Sequence, residues 1–288
     1  MFEPDKDFKS LSLPVRRMLQ GLGKCSLCPR ECDVNRISGE TGYCQIGANP
    51  LLSSARPHFG EESVLVGHGG SGTIFFSGCN LSCAFCQNYQ ISQEASGREV
   101  SIDELAELML SLQAQGCCNV NFVSPTHEVT SVAAAIELAR QQGLKLPTVY
   151  NSGGYDSVGT IRKLEGLIDI YMPDMKYGDS ALASDLSDAP DYADVCFAAL
   201  KEMHRQCGDL QCCSGLAIKG LLVRHLVLPN CTAQSKTIID FLVQEISRNT
   251  AINVMDQYRP CYKASGHVII NRRPAPEEIE GIRNYPLK

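Results

Sequence analysis

The chain has 288 residues, 44% of them hydrophobic, with a net charge of −6 and a pI near 5.6. That length suits one large α/β domain with an appendage, or two domains. The acidic balance, with no run of five Lys or Arg, excludes a general nucleic-acid footprint, and no apolar stretch reaches the roughly 18 residues that would span a bilayer. The first residues lack a basic segment followed by an apolar one, so no secretory leader is expected. Fifteen cysteines in such a chain predict metal ligation in a reducing compartment rather than disulfides, and therefore a cytoplasmic iron–sulfur or zinc protein.

Residues 1 to about 24 are polar, with Leu13, Met18 and Leu19 spaced for a short helix. Then come Cys25, Cys28 and Cys32, spaced C-x2-C-P-x2-C, and Cys44 after a glycine-rich stretch. Four thiols this close together exceed what a loop needs for packing. They could hold a structural zinc or a cluster with all four corners ligated, a staple for a segment too small to build its own core. Residues 61–72, with Gly67, Gly69, Gly70 and Gly72, read as a turn or linker. The expected organisation is thus a metal-binding segment over 1–70 and a main domain over 71–288.

From Thr73 the chain alternates strand-like and helix-like stretches. Thr73–Ser77 is a β-branched and aromatic run leading into residues 78–88 (Gly-Cys-Asn-Leu-Ser-Cys-Ala-Phe-Cys-Gln-Asn). There Cys79, Cys83 and Cys86 are spaced C-x3-C-x2-C, with Phe85 before the last thiol. Three thiolates at these intervals can wrap one loop around three corners of a cubic [4Fe-4S] cluster. Zinc, like a ferredoxin cluster, would ask for a fourth protein ligand. An iron left open signals chemistry rather than structure.

The spacing then predicts helices over 101–115, with Ser101 and Glu104 as a capping box, and over 129–142, 158–164, 192–205, 235–247 and 276–283. Strands are predicted over 119–123, 147–151, 168–172, 221–228 and 251–255. Six strands alternating with helices imply parallel strands with helices outside, in a doubly wound sheet or a barrel. The polar residues gather at strand ends, as Ser124–Glu128, Asn151–Gly154, Asp174 with Lys176, and Asp256–Tyr258, while Arg224 and His225 lie within the fifth strand.

The three-cysteine loop and its aromatic are similar to those of the radical S-adenosylmethionine (radical SAM) superfamily. From the cysteine-rich N-terminus to the stretch 253–260 the chain resembles the pyruvate formate-lyase activating enzyme-like branch. The resemblance implies an α/β fold, a partial (β/α)6 TIM-like barrel with a small N-terminal cysteine-rich appendage, whose site lies at the C-terminal strand edge. It implies that Cys79, Cys83 and Cys86 hold the catalytic [4Fe-4S] cluster and that S-adenosylmethionine chelates the open iron. One electron, from a donor such as a flavodoxin or ferredoxin, then gives methionine and a 5′-deoxyadenosyl radical that abstracts hydrogen. The substrate would be a partner protein, as in glycyl-radical-enzyme activation, or another molecule; neither nucleic acid nor membrane is implied as a partner.

By the same resemblance Phe85 packs near the adenine, unless it is an ordinary core aromatic. Thr126 or Glu128 meets the methionine amino group, and Asn151, Asp174, Lys176, Arg224 and Tyr258 face the ligand. Cys25, Cys28, Cys32 and Cys44 would bind a second [4Fe-4S] cluster or zinc. His127 is either a proton handler or a backbone-bonded helix-start histidine, and Cys261 is a candidate rim thiol. An iron–sulfur electron carrier or metal-binding protein on the same barrel, without S-adenosylmethionine chemistry, is the alternative.

Overall fold

The computed structural model describes residues 9–285, so the reading of the first seven residues as lacking a leader lies outside the described part. One nine-stranded sheet organises those residues. Its strands are β1 (Leu51–His58), β2 (Ser71–Phe76), β3 (Arg98–Glu99), β4 (Val120–Val123), β5 (Thr148–Asn151), β6 (Ile170–Tyr171), β7 (Gln211–Cys213), β8 (Leu216–Leu226) and β9 (Ala251–Met255). The spatial order is β3-β1-β2-β4-β5-β6-β8-β7, with β9 also paired to β8. The contacts β2–β4, β4–β5, β5–β6, β6–β8 and β8–β9 are all parallel, so the six strands read from sequence are the six parallel ones. The helices Ile102–Ala114, Val129–Gln141, Val158–Lys163, Tyr192–Cys207 and Thr232–Phe241 intervene between them.

Strands of a parallel barrel must satisfy two surfaces, so their alternate residues part company. On β5, Tyr150 belongs to the core between sheet and helices, whereas Val149 packs in a second apolar cluster with Ile170, Met172, Leu222 and Leu65. That second cluster fills the barrel lumen towards the N-terminal strand ends. Two residues further along each strand the same inward face turns polar. Val149 is followed by Asn151, Met172 by Asp174 and Leu222 by Arg224, and the three polar residues line one cavity. The period-two pattern thus seals the bottom of the barrel and makes its top hydrophilic.

Three antiparallel strands are additions that the sequence does not announce. β1 pairs with β2 from Leu52↔Phe76 to His58↔Ser71 and with the short β3, and β7 forms a hairpin with β8. β1 (Leu-Leu-Ser-Ser-Ala-Arg-Pro-His) has no clean alternation and carries Pro57, a residue usually kept to sheet edges. It therefore belongs to the main sheet, although it lies on the N-terminal side of the boundary placed at residue 70. The stretch read as a linker holds a short helix, Ser63–Val66, whose Leu65 is fully buried in the lumen.

The N-terminal helix Leu13–Gln20 buries Val15, Met18 and Leu19 and leaves Leu13 exposed. Its cap, Ser12, donates from both its backbone amide and its hydroxyl to the Glu137 carboxylate, at 2.8 and 2.6 Å. The helix lies against Val129–Gln141, which explains why that helix is alanine-rich and buried on nearly all sides. Of the predicted capping box, Ser101 does accept from the Glu104 amide at 3.0 Å, but the Glu104 carboxylate goes to Arg98 instead, at 2.7 Å.

Gly69 shows how tightly the lower turns pack, since a Cβ there would collide with the Gly116 carbonyl. Gly69→Ala should cost about 1–3 kcal/mol, the usual penalty for overpacking. It would appear as a lower urea midpoint at unchanged slope; an unchanged midpoint would show that the turn yields.

Candidate functional site

β2 ends at Phe76 and the chain turns at once into the three-cysteine loop. Gly78 makes the turn with a left-handed φ of 78°, and a Cβ there would lie 2.5 Å from the Cys44 carbonyl. The loop is then pinned from several sides. Ser82 and Ala84 donate backbone hydrogen bonds to Ser187 and Leu186, at the end of the helix Ser180–Ser187, and Lys263 donates to the Ala84 carbonyl. Gln93 Nε2 donates to the Leu81 carbonyl at 3.0 Å. These bonds fix a loop that has no regular structure of its own.

Cys79, Cys83 and Cys86 line a cavity of about 250 Å³ at the C-terminal strand ends, and no other cysteine and no histidine shares its lining. Ser187 Oγ donates to Cys83 Sγ at 3.0 Å, and Cys86 Sγ lies 3.1 Å from Ser92 Oγ. Burial pushes the Cys79 thiol up to about 12, and it raises Cys83 too, against the opposing pull of Lys176. Such thiols keep their protons until a metal displaces them. Among the described residues no three His, Cys, Asp or Glu side chains stand close enough together to hold a single metal ion.

Opposite the thiols stands an ion-paired group. Asp174, just beyond β6, meets Lys176 Nζ at 2.6 Å and Arg224 Nε at 2.9 Å. Arg224 also donates through Nη2 to Asn151 Oδ1 at 2.7 Å. Burial alone would raise the Asp174 carboxyl, but Arg224 and Lys176 outweigh it and hold the pKa below its usual value. Lys176 likewise keeps its proton, because Asp174 outweighs the burial that disfavours the charge. The pocket therefore presents two cations held in place by one carboxylate and, for Arg224, by the Asn151 amide oxygen.

Of the residues expected at the ligand, Phe85, Thr126, Asn151, Asp174, Lys176 and Arg224 all line this cavity. Glu128 does not. Thr126–Glu128 is one 3₁₀ turn, which rotates by about 120° per residue, so Glu128 faces the N-terminal segment. There it accepts from the Leu51 amide at 3.0 Å and sits 3.8 Å from Arg36. Tyr258 is also displaced: its hydroxyl donates to the Ile270 carbonyl at 2.6 Å, and its ring meets Phe85 edge-on at 5.9 Å without lining the cavity. Instead Met255 and Gln257 reach the wall from β9. His127 donates from Nε2 to the Ser77 carbonyl at 2.8 Å, and burial lowers its pKa to about 4, so it is a neutral structural bridge.

Asp156 was not anticipated. Its buried carboxylate accepts from Thr126 Oγ1 at 2.7 Å, Tyr150 OH at 2.8 Å and Ser152 Oγ at 2.6 Å, tying the ends of β4 and β5 together. The only hint was its place just after the polar run Asn151–Gly154.

The four N-terminal cysteines also converge. Cys25, Cys28, Cys32 and Cys44 line one small cavity with Arg36 and His127. Tyr43 donates its amide to Cys32 Sγ at 3.4 Å, and the Cys25 and Asp33 backbones bridge the two arms of the loop at 3.0 Å. Arg30 Nε donates to the Asn80 carbonyl at 2.9 Å, joining this segment to the three-cysteine loop.

A partial parallel barrel with a three-thiol loop at the rim of a polar, cationic pocket defines a class of cluster-bearing enzyme. Residues 73–206 match the Radical SAM superfamily. The chain is also 35% identical over 269 residues to the uncharacterized protein MJ0674 of Methanocaldococcus jannaschii, a match covering 89% of this chain and 72% of that one. MJ0808 of the same organism, also uncharacterized, is 24% identical over 290 residues, covering 92% and 78% of the two chains. The chain belongs to the radical SAM superfamily. It is therefore an enzyme whose cofactors are a [4Fe-4S] cluster and S-adenosylmethionine. Among solved structures, Streptococcus suis SuiB bound to precursor peptide SuiA gives a TM-score of 0.48 at 15% identity, covering 72% of this chain and 42% of that one. That likeness is too slight to argue from.

Arg224→Ala should weaken S-adenosylmethionine binding about 10- to 100-fold, the loss expected for one charge-assisted hydrogen-bond partner. Calorimetric titration of the cluster-loaded protein measures it; an affinity within about twofold of wild type would remove Arg224 from the binding set.

Proposed function

We propose that this chain is an activating-enzyme-like radical SAM enzyme that abstracts hydrogen from a protein or other substrate bound beside its cofactor. The observation that carries the reading is the meeting, in one cavity, of three thiols with no fourth cysteine or histidine and the group Asn151–Asp174–Lys176–Arg224. When bound, the cluster and S-adenosylmethionine supply a reductive cleavage that yields methionine and a 5′-deoxyadenosyl radical. The chain's own part is to hold, orient and shield. Cys79, Cys83 and Cys86 would take three irons and leave one open. Lys176 and Arg224, kept cationic by Asp174, would face the methionine carboxylate, and Thr126, steered by Asp156, would offer a hydroxyl to the amino group. Phe85, packed edge-on against Tyr177 and Tyr258, gives an apolar wall suited to an adenine.

In the same proposal Cys25, Cys28, Cys32 and Cys44 hold a second, fully ligated metal centre, preferably [4Fe-4S], and the appendage that carries it ends before β1 rather than at residue 70, since β1 and the helix Ser63–Val66 are built into the barrel. Its support is the convergence of four thiols on one cavity beside the buried Arg36 guanidinium, a counter-charge for an anionic tetrathiolate centre. A low-potential flavodoxin or ferredoxin in a reducing cytoplasm would supply the electron. No helix among the described residues is long and apolar enough to cross a membrane. The reading as an electron carrier without S-adenosylmethionine chemistry gives way to the family assignment.

Two measurements test these points. Anaerobically reconstituted protein given dithionite and S-adenosylmethionine should release 5′-deoxyadenosine, and Cys83→Ala should fall to background; equal yields from both would defeat the assignment of the loop. The Cys79/Cys83/Cys86→Ala triple variant should retain iron and sulfide. Zinc without sulfide would make the N-terminal centre a tetrathiolate staple instead, and neither metal would remove it.

A further inference from the structure

Next to the cofactor cavity lies a larger one, of about 520 Å³, on the side where β1 and β9 leave the barrel unclosed. The two share a wall that includes Asn151, Arg224, Met255 and Gln257. Anything bound in the larger cavity therefore sits against the group that faces the cofactor. Its most unusual feature is Glu61 and Glu62, contributed by the turn into the helix that plugs the barrel.

Buried carboxylates normally have their oxygens satisfied. Here Glu61 Oε2 and Glu62 Oε2 are both buried without a hydrogen-bond partner. The Glu61 side chain is only 9% exposed, and its nearest cation is Arg224 Nη1, at 3.6 Å. That distance is long for a bonded pair, and Arg224 already serves Asp174 and Asn151. Glu62 has one oxygen engaged, accepting from Asn253 Nδ2 on β9 at 3.0 Å. Burial first, and then the Glu62 carboxyl beside it, lift Glu61 to about 7 in spite of Arg224. Two adjacent acids with unfilled acceptor positions on a cavity wall are costly unless something donates to them.

We infer that Glu61 and Glu62 form the substrate-recognition wall of this enzyme and that the larger cavity takes an alkylammonium group, presented by a lysine-like side chain or by a small amine. This deepens the proposed function and rests on it. An ammonium carries three donors that can be divided between two carboxylates, whereas a guanidinium fork prefers both oxygens of one. Here Asn253 already holds one Glu62 oxygen, so a fork cannot take both oxygens of that carboxylate, whereas an ammonium can share its donors between Glu61 and Glu62. Arg56 and His58 also line the cavity from β1, Arg56 being solvent-exposed, and the buried cation of the lining, Arg224, is already engaged by Asp174 and Asn151, so the unfilled buried acceptors are those of Glu61 and Glu62. Met255 and Phe75 supply apolar surface for the alkyl stem.

The test is calorimetric titration of the anaerobic, cluster-loaded protein with n-pentylamine, 1-pentanol and pentanoate, and with N-acetyl-lysine methylamide. Pentylamine or the lysine derivative should bind at least about tenfold more tightly than the alcohol or the acid. Binding of the lysine derivative alone assigns a peptide source, and binding of both admits a free amine. The Glu61→Gln/Glu62→Gln variant should lose the preference. A preference that survives in a folded double variant, or no preference among the probes in wild type, overturns the inference. Should the double variant fail to fold, the wild-type comparison still decides. In the same wild-type preparation, 5′-deoxyadenosine without amine preference would sink only the recognition wall. Amine preference without 5′-deoxyadenosine would sink only the radical SAM chemistry.

Discussion

Asp174 is the carboxylate on which the site is built. It receives Lys176 and Arg224 within 2.9 Å, and its backbone forms a bridge with Arg224 just beyond the β6–β8 pairing. The geometry is over-determined: Tyr192 OH lies 2.7 Å from the Asp174 carbonyl and 2.8 Å from that of Gly153, and accepts from the Lys176 amide at 3.0 Å. Three partly buried charges are tolerable only because they satisfy one another. Once set, they fix which face of Arg224 looks towards the thiols and which towards the neighbouring cavity.

The barrel supplies the frame for that group by a simple device. Each inward-facing row changes from apolar to polar over two residues, so the lumen is plugged below and functional above. Leu65 completes the plug from outside the strand set, and its short helix brings Glu61 and Glu62 with it. Stability and recognition thus share one element.

The two cysteine-rich loops are also one mechanical unit. The Cys44 carbonyl packs on Gly78, Arg30 bonds the Asn80 carbonyl, and His127 bonds the Ser77 carbonyl while its own carbonyl accepts from Arg36 at 2.7 Å. A change at the N-terminal thiols would reach the start of the three-cysteine loop through short, directional contacts rather than through the distant core.

Much of this was legible in the chain, because it depends on neighbours in sequence. The spacing of Cys79, Cys83 and Cys86, the period-two strands and the helix stops are local, and all six parallel strands lie where local pattern places them. Asn151, Asp174 and Lys176 stand at predicted strand ends and Arg224 within the fifth strand, and it was the family resemblance that turned all four towards the ligand. What the tertiary structure alone decided is which polar residues face inward and which distant segments complete the wall. Glu128 turned away because a 3₁₀ turn set its phase, and Tyr258 fell behind Phe85. Asp156, Glu61 and β1 acquired their roles through contacts with residues far along the chain. Local pattern fixes which elements form; only their packing sets the direction of a side chain beyond a strand end, where no period continues to constrain it.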